Sequence, residues 1–154
     1  MEQRPPPRTR AFTLIELLVV IAIIAILAGL ILSTAGYIQK KGAMSRAEAE
    51  IAALSVALEN YKADNGDYPH GNNVAGDGMP ANNGFLLSSL MPGAGKVYFE
   101  FNKSMTNAAG NVVDPFGENY GYQYPGDTDR SGTDFFDLFS RCASSDPRQW
   151  KVNW

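Results

Sequence analysis

The chain has 154 residues, a formal charge of -3 and one cysteine, which leaves room for one small domain beside whatever its apolar segment requires. The first 11 residues carry a net charge of +2 and the rest -5, an acidity that argues against nucleic acid, whose phosphates are met by clustered Lys and Arg. Cys142 has no second cysteine for an internal disulfide.

The first element is an apolar run from Phe12 to Leu32, interrupted by one carboxylate, Glu16. As a helix rising about 1.5 Å per residue it is roughly 30 Å long, enough to cross the hydrocarbon core of a bilayer. An ionisable side chain in such a segment costs on the order of 3 kcal/mol at the centre and less near an end, so Glu16 is a candidate functional residue. Arg4, Arg8 and Arg10 precede the run and place the N-terminus on the cytoplasmic side. Two plainer readings compete. A secretory signal peptide has an apolar core of about 7–15 residues and a small-residue cleavage site after it, and a simple single-span anchor leaves Glu16 unexplained.

The helix is expected to continue into water. Ala47, Ile51, Leu54, Leu58 and Tyr61 follow the spacing of one apolar helical face, with Glu48, Glu50, Glu59 and Lys62 off that line. The stripe is expected to cover a sheet; a coiled-coil seam is the alternative. Asp64-Asn65-Gly66 offers a left-handed stop, and Tyr68-Pro69 follows where a helix cannot continue. From Phe12 to Ala63 this predicts a rod of about 78 Å, with a weak-helix patch where Gly29 and Gly36 flank Ser33-Thr34.

Beyond it, His70 to Gly84 has loop composition, and Gly84–Leu90 is a short helical or turn segment. Strands are predicted at Lys96–Phe101, Tyr120–Tyr124, Phe135–Phe139 and Trp150–Trp154. The expected fold is α+β: a long N-terminal helix packed on a small antiparallel sheet, like the handle and bowl of a ladle. The domain boundaries expected are a leader at 1–11, a membrane helix at 12–35 and a soluble domain at 36–154, the last comprising an amphipathic helix 36–63, a loop 64–95 and a sheet region 96–154.

The stretch Arg10-Ala11-Phe12-Thr13-Leu14-Ile15-Glu16-Leu17-Leu18, continuing to Leu30, resembles the processing and assembly segment of type IV pilins and of type II secretion pseudopilins. The resemblance implies that a membrane peptidase cuts between Ala11 and Phe12 and that the new Phe12 amine is methylated. Most relatives have Gly before the cut, where this chain has Ala11. It also implies a partner for Glu16: the Phe12 ammonium of a neighbouring copy in a staggered bundle, a pairing that sets register more than it adds stability.

Later motifs are similar to those of the major pseudopilins: Tyr61 to Pro69, Gly84 to Leu90, Asp114-Pro115-Phe116-Gly117-Glu118-Asn119-Tyr120-Gly121-Tyr122, Pro125-Gly126, Phe136 to Ser140, and Asn153-Trp154. The implied function is a structural subunit of a short periplasmic filament that drives protein export. It would sit by one pass in the inner membrane with its C-terminal domain in the periplasm. Its implied partners are copies of itself, other pseudopilins and inner-membrane secretion components, the prepilin peptidase and methylase, and membrane lipid. The alternatives are a pilin-like subunit for adhesion or DNA uptake and a plain membrane-anchored binding module.

The resemblance implies calcium as a cofactor, held by backbone carbonyls, a Ser and Asp side chains in the loop between the last strands. Ser140 aligns, Leu138 would offer its carbonyl, Cys142 and Ser144 replace the family's Gly and Asp, and Asp146 could stand in as a ligand. A second candidate runs from Asp127 to Asp134, with oxygens of Asp127, Asp129 and Ser131 at the offsets of a calcium loop and Gly132 at its sixth place. Leu138 stands where an EF-hand needs a bidentate Glu, and a solvated hairpin turn explains the same residues. No catalytic constellation is present: His70 is the lone histidine, Cys142 has no second histidine near it in sequence, and no Gly-rich stretch leads into Lys-Ser/Thr.

Overall fold

A computed structural model describes residues 12–72 and 83–154, without the side chains of 33–35 and 72. Ala11, the leader and much of the predicted 70–84 loop lie outside the described residues. The chain divides into two compact units, one up to Gln39 and one from Lys40 to Trp154.

Helix α1, Leu14–Asn65, begins in the first unit. Its apolar side chains from Leu14 to Leu32 are all exposed, and one 18-residue window reaches a mean hydropathy of 3.1. Apart from Glu16, the stretch has neither charged residues nor protein cover, which is what a bilayer-spanning helix presents. The helix is unbroken between Gly29 and Gly36, so this patch costs propensity without ending the hydrogen-bond ladder.

In the second unit, the remainder of α1 supplies the core. Ala47, Ile51, Leu54 and Leu58 are buried as the spacing predicts, joined by Ala57, and Tyr61 packs at the edge. The helix ends as the Asn-Gly pair dictates: Gly66 takes a φ of +86° and its N–H donates to the Lys62 carbonyl at 2.7 Å. Asn65 Nδ2 adds bonds to the Tyr61 carbonyl, 2.8 Å, and the Tyr98 hydroxyl, 3.0 Å.

The sheet has four short antiparallel strands in sequence order: β1 Gly71–Asn72, β2 Gly121–Tyr124, β3 Asp137–Ser140 and β4 Lys151–Val152. Gly121 faces Phe139 across β2 and β3, and Phe139 faces Val152 across β3 and β4. Gly121 is required here, because the Phe139 ring occupies the space a Cβ would fill. The buried core joins Leu54 and Leu58 of α1 to Tyr120, Tyr122, Phe136 and Leu138, and to Leu86 and Leu90 of the short helix α2, Gly84–Leu90.

Three of the predicted strands exist in shorter form, with β3 ending one residue beyond its predicted limit, whereas Lys96–Phe101 does not form one. The N–H groups of Tyr98 and Phe99 both donate to the Leu90 carbonyl, at 2.8 and 3.2 Å, and so satisfy the open end of α2. Tyr98, Phe99 and Phe101 still pack on the core, which accounts for the strand-like composition. Strand β1 lies in a stretch expected to be loop; two residues of Gly and Asn carry no strand pattern.

Asn83 ties the irregular segment before β2 to α2. It is fully buried, its Oδ1 accepts from Val112 N at 2.7 Å, and its Nδ2 donates to the carbonyls of Val112, 2.8 Å, and Tyr120, 3.0 Å. One amide thus does for three backbone groups what a neighbouring strand would do. Glu50, expected on the solvated face of α1, instead accepts from the Tyr120 hydroxyl at 2.7 Å and pairs with Arg46 at 2.8 Å.

Candidate functional site

Chain geometry around Glu16 follows from Thr13-Leu14-Ile15-Glu16, the pattern of a helix capping box. Thr13 precedes the first helical residue and its carbonyl accepts from Leu17 N at 3.3 Å. Glu16 N donates to Thr13 Oγ1 at 3.3 Å, while Glu16 Oε2 accepts from Thr13 N at 2.9 Å and from Thr13 Oγ1 at 2.7 Å. Negative charge here also faces the positive end of the helix dipole. All three bonds leave Glu16 Oε1 without a hydrogen bond among the described residues. Phe12, next to Thr13, is exposed; Ala11, the other half of the expected cleavage site, lies outside the described residues. The role of Thr13 was legible as Thr-x-x-Glu but is absent from a reading that looks only for an intermolecular partner.

Of the residues considered for calcium, those in and just after β3 already have protein partners. The Leu138 carbonyl accepts from Asn153 N at 3.1 Å, and Ser140 Oγ donates to Asp114 Oδ2 and accepts from Cys142 N at 3.0 Å. Asp146 receives Arg148 three times: its Oδ1 from Arg148 N at 3.1 Å and Nε at 3.0 Å, its Oδ2 from the guanidinium at 2.9 Å. That side-chain hydrogen bond from Arg148 holds the Asp146 carboxyl below its usual range.

The Asp127–Asp134 turn is organised by a residue outside the predicted set. Asp137 is fully buried and accepts from Asp127 N at 3.0 Å, from Ser131 N at 3.2 Å and from the Ser131 hydroxyl, with Arg130 at 3.7 Å. The turn therefore points N–H and O–H donors inward at an anion, whereas a cation loop points oxygens inward. Asp127 Oδ1 closes a local turn on Asp129 N at 3.1 Å. Among the described residues no three His, Cys, Asp or Glu side chains gather for a metal. In this arrangement Leu138, Ser140 and Asp146 of the first set, and Ser131 and one Asp127 oxygen of the second, already have partners within the protein.

Other polar groups fasten the domain. Tyr124 donates to Asp67 and His70 Nε2 lies 3.0 Å from its other oxygen; the Tyr124 bond, first, and then Tyr68 N and His70 hold the Asp67 carboxyl low. Tyr68 donates to Glu59 at 2.7 Å and Tyr122 to the Pro69 carbonyl at 2.8 Å, so the chain leaving α1 is clamped by tyrosines. Burial, first, raises the Cys142 thiol above its usual range, away from the nucleophilic thiolate.

Comparison with known proteins places this geometry in context. Residues 6–32 match the family described as the prokaryotic N-terminal methylation motif. The chain is 41% identical over 66 residues to type II secretion system core protein G of Escherichia coli (strain K12), covering 43% of this chain and 46% of that protein. It is 42% identical over 62 residues to the core protein G of Aeromonas hydrophila, covering 40% and 43%. The core protein G of Pectobacterium carotovorum subsp. carotovorum is 40% identical over 62 residues, 40% of either chain. Each match spans less than half the length of the relative, and no solved structure matches. These similarities bear out the resemblance to pilin-like secretion proteins read from the residues between Arg10 and Leu30.

Proposed function

We propose that this chain is a structural subunit of a type II secretion pseudopilus, processed at Ala11–Phe12, held in the inner membrane by α1 and assembled with its own copies and other pseudopilins into a short periplasmic filament for protein export. The observation that carries this reading is the methylation motif over residues 6–32 with Glu16 inside its apolar run. The name shared by the relatives favours secretion over adhesion or DNA uptake. The chain is a substrate for chemistry rather than its agent: hydrolysis of the Ala11–Phe12 bond leaves an ammonium on Phe12, and methylation keeps that charge.

Before assembly, the Thr13 bonds compensate Glu16 in its own chain, which lowers the cost of holding a carboxylate at the membrane. On assembly, the free Oε1 takes the Phe12 ammonium of a neighbour while Oε2 stays with Thr13. An unpaired charge in an apolar surround is strongly disfavoured, so a register that misaligns the two groups is rejected. The test combines mass and assembly. The purified native chain is expected to begin at methylated Phe12, and Glu16→Ala is expected to insert normally yet form no filaments. A native chain that begins at Met1, or filaments of normal yield from Glu16→Ala, overturns the reading.

A further inference from the structure

The 40–154 unit carries its charges unevenly along α1. At the start of the unit Lys40 and Lys41 are exposed, and the Lys40 ammonium lies 3.4 Å from Gln149 Oε1, which brings the Pro147–Gln149 turn to the same end. Arg148, in that turn, has a side chain 89% exposed. Two helical turns on, Arg46 donates to Ser104 Oγ at 2.8 Å and so brings in the loop that carries exposed Lys103. Three separate segments thus contribute cations to one end.

The acids present at this end are largely spent. Glu48 pairs with Lys151 at 2.8 Å, Glu50 with Arg46 at 2.8 Å and Asp146 with Arg148 at 2.9 Å. Among the described residues Lys40, Lys41 and Lys103 make no ion pair, and the exposed acid nearest to Lys103 in sequence is Glu100. The acids Glu59, Asp64 and Asp67 and the Asp127–Asp134 turn belong to the other end, by way of Lys62, which lies 5.7 Å over the Phe135 ring. Lys40 and Lys62 are separated by about 33 Å of helix.

We propose that this basic end, whose uncompensated cations are Lys40, Lys41 and Lys103, is a seat for the anionic phosphate headgroups of the membrane in which the chain waits before assembly. Chain order selects this occupant. The apolar run ends at Leu32, and Tyr37, 71% exposed, follows where an interfacial aromatic belongs. Lys40 and Lys41 are the eighth and ninth residues after Leu32 in the chain, and long basic side chains that follow a span so closely suit headgroup phosphates. Basic side chains held at an anionic surface add attraction that falls off within a Debye length. The seat is released when the subunit leaves the bilayer plane, so lipid charge sets how readily the reservoir is drawn on. The proposal rests on α1 spanning a bilayer, as in the proposed function.

The test uses the full chain in vesicles of phosphatidylcholine alone or mixed with phosphatidylglycerol, each with a trace of headgroup-dansylated lipid. Trp150, next to Gln149, is the donor in a Trp154→Phe background. Energy transfer is expected to rise about two-fold on the anionic vesicles, and to return to the neutral-lipid value in high salt and in Lys40→Gln/Lys41→Gln/Lys103→Gln. That triple variant leaves the Arg148–Asp146 pair in place, and Lys103→Gln alone is expected to give a partial loss. Equal transfer on both lipids overturns the proposal, as does an undiminished response in the triple variant. Release of the wild-type chain by alkaline carbonate sinks the membrane-span reading as well; retention with lipid-insensitive transfer sinks this proposal alone.

Discussion

Replacing Asn83 with alanine removes an amide that is fully buried and hydrogen-bonded to Val112 N, Val112 O and Tyr120 O. The Val112 carbonyl keeps a bond from Tyr120 N at 3.1 Å, but the Val112 N–H is left buried without an acceptor. One stranded donor costs about 1–3 kcal/mol, and the lost bonds to the carbonyls about 1 kcal/mol together, so the expected destabilisation is about 3 kcal/mol. For a domain of this size that is a fall in Tm of ~10 °C. Urea melts of the detergent-solubilised chain should show a lower midpoint with an unchanged slope. The Asn83→Asp variant separates hydrogen bonding from volume. Its carboxylate keeps an acceptor for Val112 N but turns lone pairs toward two carbonyls, so its folded-state pKa is expected above the unfolded value. Its stability should then be greatest below the unfolded pKa and fall as pH rises through the folded one. An Asn83→Ala midpoint within about 0.5 kcal/mol of wild type would refute the idea that this amide closes the domain.

Thr13→Val removes the hydroxyl of the capping box while leaving the Glu16 charge in place, and should cost about 1 kcal/mol at the helix start; filament yield measured beside Glu16→Ala is expected to fall only in part. Because Arg148 occupies Asp146 and backbone N–H groups occupy Asp137, excess calcium against chelator is expected to leave the melting temperature unchanged, and a rise of several degrees would refute the closed arrangement. Asp67, whose carboxyl is held low first by Tyr124, contributes stability above its unfolded pKa that is lost as pH falls through the folded value. In pH-dependent melts, Asp67→Asn should therefore flatten the acid limb and leave the limb above neutrality unaltered.

Helix α1 was legible because its signals are long. Ala47, Ile51, Leu54 and Leu58 repeat one period over several turns, and Asn65-Gly66 carries a stop whose backbone chemistry is local. The sheet was legible only in outline. Strands of two to four residues are too short for an alternation to be read, and the aromatic run 98–101 satisfies the same composition by packing its rings while its N–H groups serve the Leu90 carbonyl. What set the backbone there was the open end of α2, eight residues before Tyr98, a demand for donors that the strand-like composition of 96–101 does not express.

The candidate sites divide along the same line. Glu16 was legible because a charge in an apolar run contradicts its surroundings whatever the fold, and its partner Thr13 stands at the three-residue spacing of a capping box. The oxygen-rich turn was not legible, because composition cannot say which atoms face inward. Asp127, Asp129, Ser131 and Asp137 would suit a cation if their oxygens converged; instead Asp127 N, Ser131 N and the Ser131 hydroxyl converge on Asp137. The difference is fixed by where Asp137 begins β3, opposite Gln123 of β2. Strand register turns that carboxylate into the interior, and once a buried anion sits there the turn must supply donors. A long-range pairing thus inverts the chemistry that a local sequence motif advertises, whereas a helix start, whose partners lie three residues apart, keeps the chemistry its motif states.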